Sequence, residues 1–175
     1  MPFRIGLGQD SHRFVKEGDA KKLVLGGIVV EGERGLEANS DGDVILHALC
    51  NALSQAVGKK SLGSYADKLC LEKGVKDSAE YLKVAKGFVD EAGYEIVNIG
   101  IMIEGRKPKI EPIADKMKTK IGEILGIDEG RIGITATTGE YLTSFGKGEG
   151  IQVFAVTILV HKHVHSELKK HLKKD

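Results

Sequence analysis

The chain has only two cysteines in 175 residues, Cys50 and Cys70. That number excludes a disulfide framework and a zinc knuckle, and Cys50, inside an apolar segment, reads as a small core residue. No run of residues is long and apolar enough to span a bilayer. The opening Met1-Pro2-Phe3-Arg4-Ile5-Gly6 has no secretory apolar region, so no membrane and a cytoplasmic setting are expected. Net charge is nearly absent, at +1. Residues 161–175 hold five lysines against Glu167 and Asp175, so the rest of the chain is slightly acidic and lacks the footprint of a nucleic-acid binder. The basic end reads as a solvated tail. Internal repeats and a domain boundary are missing too. With 41% hydrophobic and 29% charged residues, the expectation is one globular domain over 1–161 and a tail over 162–175.

The elements can be read in order. Two apolar runs within 23–30 are split by Gly26-Gly27, a hairpin signal. Ser40 followed by Asp43 reads as an N-cap and capping box, opening a largely buried helix through Val57. Residues 58–76 show little period and read as a mobile loop with one helical turn. Asp77-Ser78 caps a helix to about Ala92. Tyr94–Ile103 reads as a strand with Val97, Ile99, Ile101 and Ile103 on one face, and Pro112 opens a further helix. Residues 131–137 form another strand, and 151 to about 165 a last one. His161, His163 and His165 would alternate at its exposed end without a carboxylate companion. This order gives an α+β fold, a two-layer α/β sandwich with helices on one sheet face. Strands 97–103 and 151–160 are apolar on both sides, so the uncovered face calls for self-association.

Three groups of residues carry candidate chemistry. Asp10 and His12 stand two apart on the opening strand and share a face. His47 sits one turn into the apolar helix, where a polar ring needs a partner. A carboxylate and two imidazoles hold three corners of a divalent metal and leave one open, the catalytic zinc arrangement. Ala136-Thr137-Thr138-Gly139-Glu140 leads into the Gly-rich 144–150 loop. Its hydroxyls, glycine amides and Lys147 can cradle phosphate, and Glu140 can hold a second metal. Arg106-Lys107-Pro108-Lys109 is a further phosphate contact.

Arg4-Ile5-Gly6 through Asp10-Ser11-His12, Gly26-Gly27, Ser40-Asp41-Gly42-Asp43 with Leu46-His47-Ala48-Leu49, Pro108-Lys109, Ala136-Thr137-Thr138 with Glu140, and Gly146–Gly150 occur in one order over residues 4 to about 160. In this the chain resembles the 2-C-methyl-D-erythritol 2,4-cyclodiphosphate synthase family of non-mevalonate isoprenoid biosynthesis. The resemblance implies a mixed sheet, a homotrimer built through the free sheet face, and active sites between subunits. It implies Zn²⁺ or another divalent metal on Asp10, His12 and His47, and Mg²⁺ or Mn²⁺ on Glu140 with substrate phosphates. The implied reaction converts 4-diphosphocytidyl-2-C-methyl-D-erythritol 2-phosphate to the cyclic diphosphate and CMP. Asp43, Thr138 and Glu140 are its implied catalytic residues. Asn39, Ser40, Ser61, Gly63, Asp67, Pro108, Lys109, Ala136, Thr137, Thr138, Phe145 and Lys147 are implied to bind substrate. An isoprenoid diphosphate on the threefold axis is a further implied ligand.

This chain departs from the family pattern at Asn39 (usually His), at Ser61-Leu62-Gly63 (usually Asp-Ile-Gly), and at Tyr65–Cys70, which replaces Phe-Pro-Asp-Thr-Asp-Pro. Gly139 replaces a threonine and Lys147 an arginine, which loses bidentate phosphate geometry. Asp67 is the candidate replacement for the lost carboxylates. The alternatives are a diverged relative acting on another CDP-linked substrate and a non-catalytic trimer that binds metal and nucleotide.

Overall fold

The structure, a computed structural model, describes residues 1–172. Strand β1 (Phe3–Arg13) is followed by the hairpin β2 (Lys22–Leu25) and β3 (Ile28–Arg34). Helices α1 (Val44–Ala56), α2 (Gly63–Lys73) and α3 (Ser78–Glu91) come next, then β4 (Tyr94–Glu104). Helix α4 (Ala114–Leu125), β5 (Ile132–Thr137), the short α5 (Ser144–Lys147), β6 (Gly150–His161) and α6 (Lys162–Leu172) complete the chain.

Four strands form one mixed sheet in the order β1-β6-β4-β5; the β1–β6 and β6–β4 pairs are antiparallel, and the β4–β5 pair is parallel. Helices α1, α3 and α4 cover one face. Residues Gly6 and Gly8 of β1 turn toward α1, and Phe3, Ile5 and Leu7 turn away and remain half or more exposed. Met102 and Val156 continue this bare apolar face on the next strands. Among the described residues no helix is long and apolar enough to cross a membrane.

Several sequence expectations are corrected. The cap of α1 is Asp43, whose carboxylate accepts from the Ile45 and Leu46 amides; Ser40 lies in the preceding turn. The same carboxylate accepts from Gly26 N at 2.9 Å and Gly27 N at 2.6 Å, which ties the hairpin turn to the helix start. Residues 63–73 are a full helix rather than a loop, ended by Gly74 at φ 66°. A register shift between Ile96 and Asn98 rotates Val97 outward, so Ile96 joins Ile99, Ile101 and Ile103 in the core. Strand β6 stops at His161, and the chain continues as a helix, so the three histidines do not share a strand face. His165 also has a carboxylate companion: its Nδ1 lies 2.6 Å from Glu95 Oε2. The last three residues of the expected tail, 173–175, lie outside the described residues.

Candidate metal centre and its cavity

The metal centre follows from how β1 meets α1. A Cβ on Gly8 would lie 2.0 Å from the Ala48 carbonyl oxygen, and one on Gly6 2.0 Å from that of Ala52. Only glycine permits this approach. Asp10 and His12 share the strand face of these glycines, and His47 comes from the first turn of α1. Asp10 Oδ2 is 3.0 Å from His12 Nε2 and 3.0 Å from His47 Nδ1; the two nitrogens are 3.3 Å apart. A tetrahedral ion with ligands at about 2.05 Å needs donor atoms roughly 3.3 Å apart. One carboxylate oxygen and two imidazole nitrogens at these spacings fit zinc, and among the described residues they form the one such group of three.

Electrostatics agree. Burial would raise the Asp10 pKa, but hydrogen bonds and charge from His12 and His47 outweigh it and hold the carboxyl well below its usual range. Asp10 is thus ready as an anionic ligand. His47 is almost wholly buried, and its far nitrogen, Nε2, is 2.8 Å from Ser78 Oγ at the start of α3. Ser40 Oγ stands at 3.4 Å from the same nitrogen.

The triad opens into a cavity of about 330 Å³. Asn39 and Ser40 line one side, and Leu62, Gly63, Asp67 and Cys70 of the α2 segment line another, with Tyr81 at the back. Lys21 holds the near wall by donating to the Ala38 and Ser40 carbonyls, each at 2.8 Å. Of the implied substrate contacts, Asn39, Ser40, Gly63 and Asp67 face this cavity; Ser61 is exposed just outside it. Asp43 does not line it, being fully buried with four backbone amides on its carboxylate. Burial pushes its pKa up, against hydrogen bonds from Gly27, Leu46 and Gly26. It caps the helix that carries His47.

The second group of residues gathers at the carboxyl ends of the parallel pair β4 and β5, where Glu104 pairs with Thr137. Pro108, Lys109 and Ala136–Thr138 all lie at this edge, Pro108 buried and Lys109 exposed. Glu140 is exposed and held at φ 52°. Gly139 is explained by its neighbour: a Cβ there would lie 2.5 Å from Glu104 Oε1, so the buried Glu104 occupies the space a threonine would need. Glu104 also accepts from the Thr143 hydroxyl at 2.5 Å. Phe145 and His12 both line a cavity of about 210 Å³, and Lys147 joins Arg34, Arg106 and Lys107 around another of about 490 Å³. Glu140 is outside the metal group that the single chain assembles.

Sequence reasoning missed Lys21, Tyr81 and Glu104, and it read Asp41 and Ser78 only as parts of helix-start motifs. For α2 the signal was present: Leu62, Tyr65, Ala66, Leu69 and Cys70 follow the spacing of a helix face, and all five pack on the core. Cys50 is the inert core thiol expected, its pKa pushed up to about 12 by burial.

Comparison with known proteins agrees with this geometry. A protein-family model described as the YgbB family matches residues 3–160. The 2-C-methyl-D-erythritol 2,4-cyclodiphosphate synthase of Chlamydia muridarum is 49% identical over 154 residues, covering 88% of this chain and 86% of that protein. A solved structure, the CDP complex of IspF from Plasmodium falciparum, superposes with a TM-score of 0.80 at 30% identity, over 92% of this chain and 97% of that one. The bifunctional IspDF of Campylobacter jejuni gives a TM-score of 0.83 at 34% identity over 91% of this chain, which spans only 42% of that longer protein.

Proposed function

The chain belongs to the YgbB family, and from that premise we propose that it is a 2-C-methyl-D-erythritol 2,4-cyclodiphosphate synthase, acting in isoprenoid biosynthesis. The observation that carries this reading is the Asp10, His12, His47 triad, set at tetrahedral spacing on the wall of a cavity large enough for a sugar-alcohol phosphate. In the reaction, an oxygen of the 2-phosphate bonds to the β-phosphorus. The bond from that phosphorus to the oxygen bridging the α-phosphate breaks, and CMP leaves with that oxygen.

Such a transfer needs alignment and charge neutralisation more than covalent help. Zn²⁺ held by Asp10, His12 and His47, with Mg²⁺ or Mn²⁺ held by Glu140, would supply Lewis-acid neutralisation of the phosphates. The protein's own residues hold the two phosphates together, a large proximity effect for a ring closure. Residues of the α2 segment form one side of the cavity. Lys109, Lys147 and the Thr137 and Thr138 hydroxyls are proposed for the phosphates, and the 102–110 and 136–138 edge with Phe145 for the cytidine half.

Two copies are proposed to make each site, one giving the triad and the other the cytidine edge, within a homotrimer packed through the bare sheet face. Phe3, Ile5 and Leu7 are already partly covered, so each gains roughly 1–2 kcal/mol from burial there, less than a fully exposed side chain would. An isoprenoid diphosphate on the threefold axis, residues 1–161 as the working domain and a cytoplasmic setting belong to the same proposal. Light scattering should give a trimer, and Leu7→Asp should shift it to monomer. A monodisperse wild-type monomer at micromolar concentration would contradict the assembly. The reaction itself is tested by CMP release from the named substrate. Release should be stopped by a chelator and restored by zinc with magnesium; no release under those conditions would refute the assignment.

Among the α2 residues lining the cavity, Asp67 alone carries an ionisable oxygen acid, and the rest of that wall is Leu62, Gly63, Ala66 and Cys70. The methylerythritol end is therefore held by few polar contacts. In calorimetric titration, CDP should bind well and the full substrate only slightly better. Asp67→Asn should weaken the substrate by about tenfold, the worth of one charge-assisted hydrogen bond, and leave CDP unchanged. A substrate far tighter than CDP and indifferent to Asp67→Asn would mean that another group holds the sugar alcohol.

A further inference from the structure

We propose that Ser78, held in turn by Asp41, is a positioning residue for the metal centre: it holds a ring proton of His47 on Nε2, which leaves Nδ1, the nitrogen that faces Asp10 and His12, as the one that binds the metal. The inference rests on the reading of the triad as a metal site.

The hydrogen-bond chain has a direction. The Asp41 carboxylate accepts the Ser78 backbone N–H on Oδ2 at 3.0 Å and the Ser78 hydroxyl on Oδ1. Oδ1 also accepts the Asp43 N–H at 3.1 Å. A carboxylate can only accept, and a serine hydroxyl has one proton to give. That proton goes to Asp41, so Ser78 Oγ meets His47 Nε2, 2.8 Å away, as an acceptor. The hydrogen between them belongs to the ring. The other contact at Nε2, Ser40 Oγ, is at 3.4 Å and already accepts from Gly42 N, so it does not set the tautomer.

The placement is rigid. Ser78 is fully buried at the first turn of α3, and Asp41 N donates to Lys76 O at 2.9 Å. The turn before α1 and the start of α3 are thereby bonded to each other directly behind the ligand. Metal-bound histidines commonly give their second ring N–H to a carboxylate or carbonyl, which orients the ring. Here a serine is interposed and passes the carboxylate's demand to the imidazole. Asp41→Asn reverses that direction. If the amide oxygen keeps the Ser78 N–H, the amide NH₂ faces Ser78 Oγ. Ser78 then gives its proton to Nε2, and the ring proton moves to Nδ1, where the metal must bind.

The test is zinc binding to the full chain, measured by competition with a chromophoric chelator, together with ¹⁵N NMR of the histidine rings after chelation. Wild type should bind one zinc per chain, with Nε2 of His47 protonated. Ser78→Ala and Asp41→Asn should bind zinc about 10–100-fold more weakly, with unchanged circular dichroism, and Asp41→Asn should show the proton gone from Nε2. Unprotonated Nε2 in wild type, or wild-type affinity in both variants, would overturn the proposal, and the wild-type spectrum decides even if a variant fails to fold. A wild type that binds no zinc would instead refute the metal reading on which the proposal stands.

Discussion

His47→Ala should give a folded protein that neither retains zinc nor releases CMP. The ring is the one ligand delivered by α1, and its Nδ1 is within 3.3 Å of both other donors. Without it, Asp10 and His12 leave two corners open, too few for a catalytic zinc site. Turnover should fall by at least a factor of about a hundred, the scale on which removing a single transition-state stabiliser acts. The fold should survive, because α1 keeps its Asp43 cap and its apolar residues, from Val44 and Ile45 to Leu53, remain in the core. The void beside Tyr81, together with the ring N–H lost to Ser78 Oγ, which keeps its bond to Asp41, should cost about 1–3 kcal/mol. Elemental analysis and CMP release are the measurements; full zinc stoichiometry in the variant would show that the ligand set is wrong.

The same substitution changes the acid limb of stability. In wild type the Asp10 carboxyl titrates below its ordinary value, because the hydrogen bonds and charge of His12 and His47 outweigh burial. A depressed carboxyl stabilises the fold fully above the unfolded value of about 4 and loses that contribution as pH falls through the lower, folded value. With His47 gone, the Asp10 pKa should rise, and part of this acid-side contribution should disappear.

The metal triad was legible because each ligand obeys a local rule. Strand parity puts Asp10 and His12 on one face, and a polar ring in an apolar helix turn demands a partner. The hairpin at Gly26-Gly27 and the cap at Asp77 were equally local. What was not legible depends on contacts distant in sequence. Ser78 lies 31 positions from His47, and nothing in its own surroundings marks it as that ring's acceptor. The α1 cap passed to Asp43 because Gly26 and Gly27 bring two more amides to it. Val97 turned outward through a register shift set by β6, not by its own strand. In α2 the helical period existed but was obscured by interleaved lysines and polar residues. Gly139 looked like a lost threonine until Glu104 was found in its space.

Gly8→Ala should weaken the metal site although it alters no ligand. The added Cβ would lie 2.0 Å from Ala48 O and 2.4 Å from Ala52 N, both backbone atoms of α1. Ordinary contact begins near 3.4 Å, so the helix would have to retreat by about an ångström or more in an interior that is already close-packed. Overpacking of this kind costs about 1–3 kcal/mol. Because His47 immediately precedes Ala48, the same movement carries Nδ1 away from Asp10 Oδ2, now 3.0 Å distant. The melting temperature and the zinc affinity should therefore fall together. Gly87→Ala separates this from a general sensitivity to lost glycines. Gly87 is inside α3, nothing lies within 4 Å of its Cβ position, and its replacement should raise stability by about 0.5–1 kcal/mol with zinc affinity unchanged. If Gly8→Ala keeps the wild-type melting temperature and affinity, the close approach of β1 to α1 does not set the geometry of the site.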